Sequence, residues 1–341
     1  MARRLKPLSE QVVIITGASS GIGLATARLL ADRGARVVLN SRSDEALAHL
    51  SDEIRAAGGQ AAYVAADVAD EAQVRQIAAT AIERFGGYDT WINDAGISIF
   101  GQMTDVAPAD HRRLFETNFW GVVNGSLEAA RYFRGRGGRT QGAIINVGSV
   151  LSDIAIPVQG MYSASKFAVK GFTDALRLEL DAANVPAVVT LIKPSAIDTP
   201  FTRHARNYMD EEPSLPPPVY KPDVVARAIA YCCEAAEREV TVGGGGRGMT
   251  LFGRALPGLS DRVFAATLPR FQRQGIPPKN PEGALHQPNG PELRERGEYG
   301  GPVLGSSVYT AAALHPVWAG LIAVGVGVAA AALLAPSQSR A

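Results

Sequence analysis

The stretch "VVIITGASSGIGLATARLLADRG", residues 12–34, constrains this chain more than any other. An apolar, β-branched run ends on Thr16, and the chain then passes through glycines 17, 21 and 23 into a segment with apolar residues at helical spacing. A short continuous apolar run bounded by glycine reads as a buried strand. Gly34 stands where the following helix needs a left-handed residue to end. Strand, Gly-rich turn and helix in direct succession open a βαβ unit. The glycines allow a tight turn and let a pyrophosphate approach the backbone, where the helix N-terminus offers free N–H groups and the positive end of its dipole.

The same alternation of short β-branched runs with amphipathic stretches continues to about residue 242, with strands expected at 12–16, 36–39, 61–65, 90–93, 143–147, 188–192 and 240–242. Seven strands with helices between them predict an α/β fold, a Rossmann-type doubly wound parallel sheet. Gly58-Gly59 mark a helix end, and Asp70 and Pro108 mark helix starts. An apolar fraction of 46% and a charged fraction of 20% belong to an ordinary folded chain. A formal charge of +1 leaves no electrostatic footprint for nucleic acid. The two cysteines, Cys232 and Cys233, are adjacent and ill placed to pair, which suits a reducing compartment. The basic N-terminus is followed by only a four-residue apolar run, too short for a signal-peptide core.

Residues 1–242 are therefore expected to form one catalytic domain, in which the Pro-rich segment at 200–222, with "DEEPSLPPPVYKP", forms a loop over a substrate. "GGGG" at 243–246 is expected to act as a hinge. Residues 243–274 carry apolar residues at helical spacing with interspersed arginines and predict an amphipathic helical extension, broken at Pro257 and Pro269. Such an extension could lie in a membrane interface or cover the substrate pocket. Residues 275–315, rich in Pro, Gly and charge, predict an irregular linker or meandering arm.

In "YSASK", the four-residue spacing puts the Tyr162 phenol and the Lys166 ammonium on one helical face. A nearby cation favours phenolate over phenol, so such a tyrosine can serve as general acid or base. Ser149 closes a strand thirteen residues earlier, so its hydroxyl can lie at the carboxyl edge of the sheet, where ligands bind in such folds.

With these motifs together, the chain from residue 11 to about 242 resembles the short-chain dehydrogenases/reductases. The resemblance implies that Thr16, Gly17, Ser19, Ser20, Gly21, Ile22 and Gly23 form the dinucleotide-binding turn. "NDAG" corresponds to the family's Asn-Asn-Ala-Gly motif, giving Asn93, Ala95 and Gly96, with Asp94 in place of the second asparagine. The catalytic set falls on Ser149, Tyr162, Lys166 and Asn118. "KPSAIDTP" gives Pro194, Ile197 and Thr199 as neighbours of the nicotinamide, with Ser195 in place of the family's glycine. Asp67 and Val68 correspond to the pair that contacts adenine.

At the end of the second strand, "VVLNSRS" offers Asn40, Ser41 and Arg42 and no acid before Asp44. A carboxylate there would hold a free ribose 2′-OH, whereas a hydroxyl and a guanidinium suit a 2′-phosphate, so NADP(H) is expected rather than NAD(H). The implied activity is hydride transfer between NADP(H) and a carbonyl or secondary alcohol, in which Tyr162 exchanges the proton. Ser149 would hold the same oxygen, Lys166 lower the Tyr pKa and bind the ribose, and Asn118 anchor a water. The apolar "VLSDIAIPVQGM" suggests a lipophilic substrate. The alternatives are an epimerase or dehydratase of the same fold, or an NADP-sensing or scaffolding protein without turnover. No metal is expected.

Finally, "VWAGLIAVGVGVAAAALLA", 317–335, is free of charge and hydroxyl. As a helix it would span about 28 Å, close to the hydrocarbon thickness of a bilayer. A transmembrane helix at 316–335 is therefore expected, tethering a cytoplasmic catalytic domain to a membrane. The expected partners are a small-molecule carbonyl or alcohol, that membrane, and further copies of the chain in a homo-oligomer.

Overall fold

A computed structural model describes residues 5–136, 141–288, 290 and 293–315. Along the chain, β1 (Val12–Thr16), α1 (Gly21–Asp32), β2 (Arg36–Ser41), α2 (Asp44–Ala56), β3 (Gln60–Ala65), α3 (Glu71–Phe85) and β4 (Thr90–Asn93) form the first half. The second half starts with β5 (Ile99–Phe100), α4 (Pro108–Phe115), a π-helical turn (Glu116–Trp120), α5 (Gly121–Arg136), β6 (Gly142–Val147) and a 3-10 turn (Val150–Ser152). It continues through α6 (Gly160–Ala182), β7 (Ala187–Pro194), β8 (Ala196–Ile197), α7 (Phe201–His204), β9 (Arg206–Asn207), β10 (Val219–Tyr220), α8 (Pro222–Glu234) and β11 (Glu239–Val242). Beyond these lie α9 (Gly244–Ala255), α10 (Pro257–Phe271), β12 (Val303–Leu304) and α11 (Val308–Leu314).

The seven expected strands are all present and make one parallel sheet in the order β11-β7-β6-β4-β1-β2-β3. The order reverses between β1 and β4, so a crevice opens there at the carboxyl edge. β1 and β6 are buried throughout because helices cover both faces of the sheet. One core layer packs α1 and α8 against the sheet through Leu24, Leu30, Val225 and Ile229, and the other packs α3 and α5 through Val74, Ile77 and Phe133. The caps read from sequence hold: Asp70 accepts from Ala72 N and Gln73 N at the start of α3, and Pro108 is the first residue of α4. Gly34 and Gly58 adopt φ of 87° and 85° at the ends of α1 and α2.

The C-terminal part differs from its sequence reading. Three of the four glycines expected as a hinge instead begin α9, where a Cβ on Gly246 would sit 2.6 Å from Val150 Cγ1. They are small because α9 presses onto the cleft. The extension breaks at Pro257 as expected but runs through Pro269, which lies in the last turn of α10 and forfeits only one intrahelical hydrogen bond. The irregular segment from 275 onward lies against the catalytic domain and does not lead away from it, with Leu285 fully buried. No helix among the described residues is long and apolar enough to cross a membrane. The transmembrane helix expected at 316–335 lies outside the described residues.

Candidate active site

One cleft of about 290 Å³ runs along the carboxyl edge of the sheet. At its inner end the 3-10 turn after β6 presents Ser149 and the first two turns of α6 present Tyr162 and Lys166, all three buried. The Ser149 hydroxyl hydrogen-bonds the Tyr162 phenol, and Lys166 Nζ lies 5.7 Å from the Tyr162 ring centroid. Lys166 donates to Val147 O at 2.9 Å, which fixes the ammonium beneath the tyrosine.

The electrostatics of this end are set by burial. Burial raises the Tyr162 phenol well above its ordinary value, opposed by the Ser149 hydrogen bond and reinforced by the charge of Asp94. Burial likewise pushes Lys166 down to about 8, with Asp94 pulling it back up. Asp94 is itself pushed up to about 8 by burial, while Lys166 and the Gly23 N–H favour its charged form. Lys166, expected to lower the tyrosine pKa, is outweighed: desolvation dominates, and the carboxylate standing where the family has asparagine couples to both groups. Asp94 does accept from Gly23 N, as an asparagine could.

Asn118 is fully buried in the π-helical turn, a local widening found often at functional sites. Its side chain accepts from Ile97 N at 2.8 Å and donates to Ile97 O at 2.8 Å and to Ser165 Oγ at 3.2 Å. It does not line the cleft but braces the floor beneath Gly96, where an added Cβ would lie 3.8 Å from Lys166 Nζ.

The glycine turn forms the middle of the cleft. Gly17 has φ 75°, and a Cβ there would come within 2.9 Å of Ala95 Cα; a Cβ on Gly23 would drive into the Gly17 carbonyl. Gly17, Ser19, Ser20, Gly21 and Ile22 line the cleft, as do Ala95, Gly96, Pro194, Ile197 and Thr199. Thr16, Gly23 and Asn93 do not. Thr16 Oγ1 accepts from Asp94 N and Ala95 N, and Asn93 donates to Asn146 Oδ1 at 2.8 Å and to Ser126 Oγ at 3.0 Å, so both brace the loop from behind.

The outer end is framed by Ser41, Arg42, Asp67 and Val68. Here the C-terminal arm closes in. The Arg42 guanidinium donates to the carbonyls of Ala284, Leu285 and His286, while Arg113 pairs with Asp67 and reaches Leu285 O. Gly21 N donates to Arg294 O at 2.9 Å. Asp198, also buried, accepts from Arg296 Nε and from the amides of Gly297 and Tyr299, which pins the arm near the cleft. No motif announced this; the only sequence signal was a Pro- and Gly-rich composition, which reads equally well as a free linker. The apolar wall near Tyr162 comes from Val150, Leu151 and Ile156, with Met249 of α9 and Leu215–Pro218 of the Pro-rich loop opposite.

Three buried polar atoms along the cleft have no hydrogen-bond partner among the described residues: Asn40 Oδ1 at the outer end, Thr117 Oγ1, and Ser195 Oγ near the Pro194 loop. Orphaned atoms along a glycine-lined crevice suit a long polar ligand, and a dinucleotide fits this donor and acceptor set. No group of His, Cys, Asp and Glu side chains among the described residues is arranged to hold a metal ion.

A family model described as short chain dehydrogenase matches residues 11–210. The chain is 41% identical over 332 residues to a Bacillus subtilis protein named uncharacterized oxidoreductase YxnA, covering 96% of this chain and 92% of that protein, so the match continues far beyond the sheet. An alcohol dehydrogenase from Thermococcus sibiricus complexed with 5-hydroxy-NADP superposes with a TM-score of 0.59 at 26% identity, covering 68% of this chain and 95% of that one. A short chain dehydrogenase/reductase from Burkholderia phymatum in complex with NAD superposes at 0.64 and 26% identity, covering 76% and 96%. With the sheet order, the glycine crevice and the Ser149, Tyr162 and Lys166 cluster, these matches identify the chain as an oxidoreductase belonging to the short-chain dehydrogenase family.

Proposed function

We propose that the chain is an NADP(H)-dependent carbonyl reductase or alcohol dehydrogenase acting on a lipophilic substrate. The observation that carries this reading is the convergence of a Ser149 hydroxyl, a Tyr162 phenol and a Lys166 ammonium at the inner end of a crevice with an apolar wall. A nicotinamide dinucleotide bound along the crevice would supply or accept hydride. In the reducing direction Tyr162 gives its proton to the substrate oxygen while Ser149 donates a hydrogen bond to that oxygen, so the charge developing there is met by two preorganised donors. The Lys166 ammonium favours the phenolate that proton transfer leaves behind. Asn118 contributes through position: its side chain is committed to Ile97 and Ser165, so a water relaying protons toward Lys166 would use the main chain of the π-helical turn.

Arg42 supports NADP(H), since a guanidinium binds a phosphate through a charge-assisted fork and no carboxylate stands at Asn40, Ser41 or Arg42 to repel one. Arm carbonyls now hold that guanidinium, so a 2′-phosphate would exchange with them. Purified protein should oxidise NADPH with apolar ketones, and Arg42→Asp should weaken NADPH at least about tenfold while sparing NADH. Dinucleotide binding without turnover over a broad ketone panel would instead favour a sensing role, and equal weakening of both dinucleotides would refute the assignment of Arg42. The run at 317–335 is proposed to tether the chain to a membrane, since its length and uniform apolarity match a bilayer core.

A further inference from the structure

α9 and α10 form a helical hairpin with two apolar faces. The inner face closes the cleft: Phe264 and Leu268 are buried together with Val150, Leu151, Ile154 and Ile156, and Phe252 meets Phe264 edge to face with centroids 5.9 Å apart. Gly253 packs so closely that an added Cβ would lie 2.8 Å from Ile154 Cγ2. A salt bridge from Arg254 to Asp153 fixes the hairpin to the turn that carries Ser149. This face is used.

The outer face is not. Leu251, Leu256, Leu259 and Phe271 are each half exposed, and Val263 is 39% exposed. Scattered apolar residues on a surface need no explanation, but Leu259 and Val263, four residues apart, share one side of α10, and Leu256 stands at the bend just before it. The charge around them is one-sided. Residues 244–274 contain five arginines and a single acid, Asp261. Arg254 and Arg273 are spent on Asp153 and on Asp210 and Glu211. Arg262 and Arg270 stand exposed with no ion pair among the described residues, beside the leucines.

What covers such a face is indicated by its charge: exposed cations without an ion pair beside apolar side chains suit an anionic surface with an apolar interior. α11 packs against the start of α9: Gly243 N donates to Thr310 Oγ1 at 3.0 Å, and a Cβ on Gly244 would lie 3.3 Å from Tyr309 Cβ. α11 ends at Leu314, and the uncharged apolar sequence begins three residues later at Val317. α11 thus begins at the hairpin and ends against α8, where Leu314 is buried and His315 meets Tyr231 edge to face.

We propose that the outward face of α9 and α10 docks on an anionic lipid surface, with Leu256, Leu259 and Val263 entering the acyl boundary and Arg262 and Arg270 meeting the headgroups. An amphipathic hairpin with basic flanks has the chemistry for that boundary. The consequence is that the roof of the cleft and the lipid surface are two sides of the same pair of helices.

The test needs no turnover, so it stands apart from the catalytic reading. Full-length protein carrying Leu259→Cys is labelled with bimane and reconstituted with vesicles of phosphatidylcholine alone, or of equal parts phosphatidylcholine and phosphatidylglycerol. Each set contains spin-labelled acyl chains. The natural Cys232 and Cys233 are fully buried, so the label reports the introduced site. On anionic vesicles the emission should shift to the blue and be quenched. Replacing Arg262 and Arg270 by glutamine should weaken this by about fivefold per arginine. The same label at Leu178, exposed on α6, should remain unquenched. An unquenched Leu259 label on protein that floats with the vesicles would mean that the tail binds alone and would overturn the proposal. Equal quenching on both vesicle types would overturn the anionic partner. A blue shift without vesicles that grows with protein concentration would make the face a contact between copies of the chain.

Discussion

The inner and outer ends of the cleft are built by different means. At the inner end, Ser149, Tyr162 and Lys166 stand on turns fixed directly by β6 and α6, and their positions follow from local geometry. At the outer end, Arg42 and Gly21 meet carbonyls of an arm about 240 to 275 residues further along the chain, held by individual hydrogen bonds and ion pairs with almost no regular structure. The proposed chemistry sits on regular elements, whereas many individually modest bonds hold the arm that borders the other end.

The contrast can be broken most severely at Gly23. A Cβ there meets the Gly17 carbonyl, and Asp94 Oδ2 lies 2.9 Å away, so Gly23→Ala should displace the glycine turn and lower dinucleotide affinity by about a thousandfold. Titration by fluorescence checks it, and near-normal affinity would mean that the turn yields more easily than its contacts imply. On the arm side, Asp198→Ala removes an acceptor shared by Arg296, Gly297 and Tyr299. Proteolysis within 293–300 should speed up about tenfold while the sheet keeps its hydrogen-exchange protection. If protection of β6 and β7 falls in parallel, the two ends are one cooperative unit and the contrast fails.

The smallest effect sharpens the inner end alone. Carbonyl reduction that needs the Lys166 ammonium should decline as pH rises through about 8, where that buried group loses its proton. Asp94 raises the Lys166 value, so Asp94→Asn removes that support and should move the decline to lower pH, by less than about one unit. A profile unmoved or shifted upward would show that Asp94 does not act on Lys166 through its charge.

The same division explains what the sequence made legible. Strands, helix caps and the glycine turn were readable because each depends on neighbours within a few residues: Asp70 caps its own helix and Gly34 ends its own. Ser149 and Tyr162 were readable because the sheet edge brings both to one place. The roles of Thr16, Asn93 and Asn118 were harder to separate, since a motif position does not tell lining from bracing; all three turn out to support the cleft from behind. Where the arm docks was invisible. Much of its order comes from main-chain atoms, which any sequence would supply, meeting Arg42, Arg113 and Asp198, and from ion pairs between distant positions such as Arg296 with Asp198 and Glu295 with Arg28. The glycines of α9 were misread as a hinge for a related reason: a glycine needed for close packing looks the same as one needed for freedom.

The proposed activity stands on proton transfer by Tyr162. Single-turnover mixing of NADPH-loaded protein with an apolar ketone, wild type beside Tyr162→Phe, isolates that step from binding. The phenylalanine variant should keep its NADPH affinity within a few-fold and lose about a thousandfold in the rate of hydride transfer. Hydride transfer at an unchanged rate in that variant would contradict the central claim.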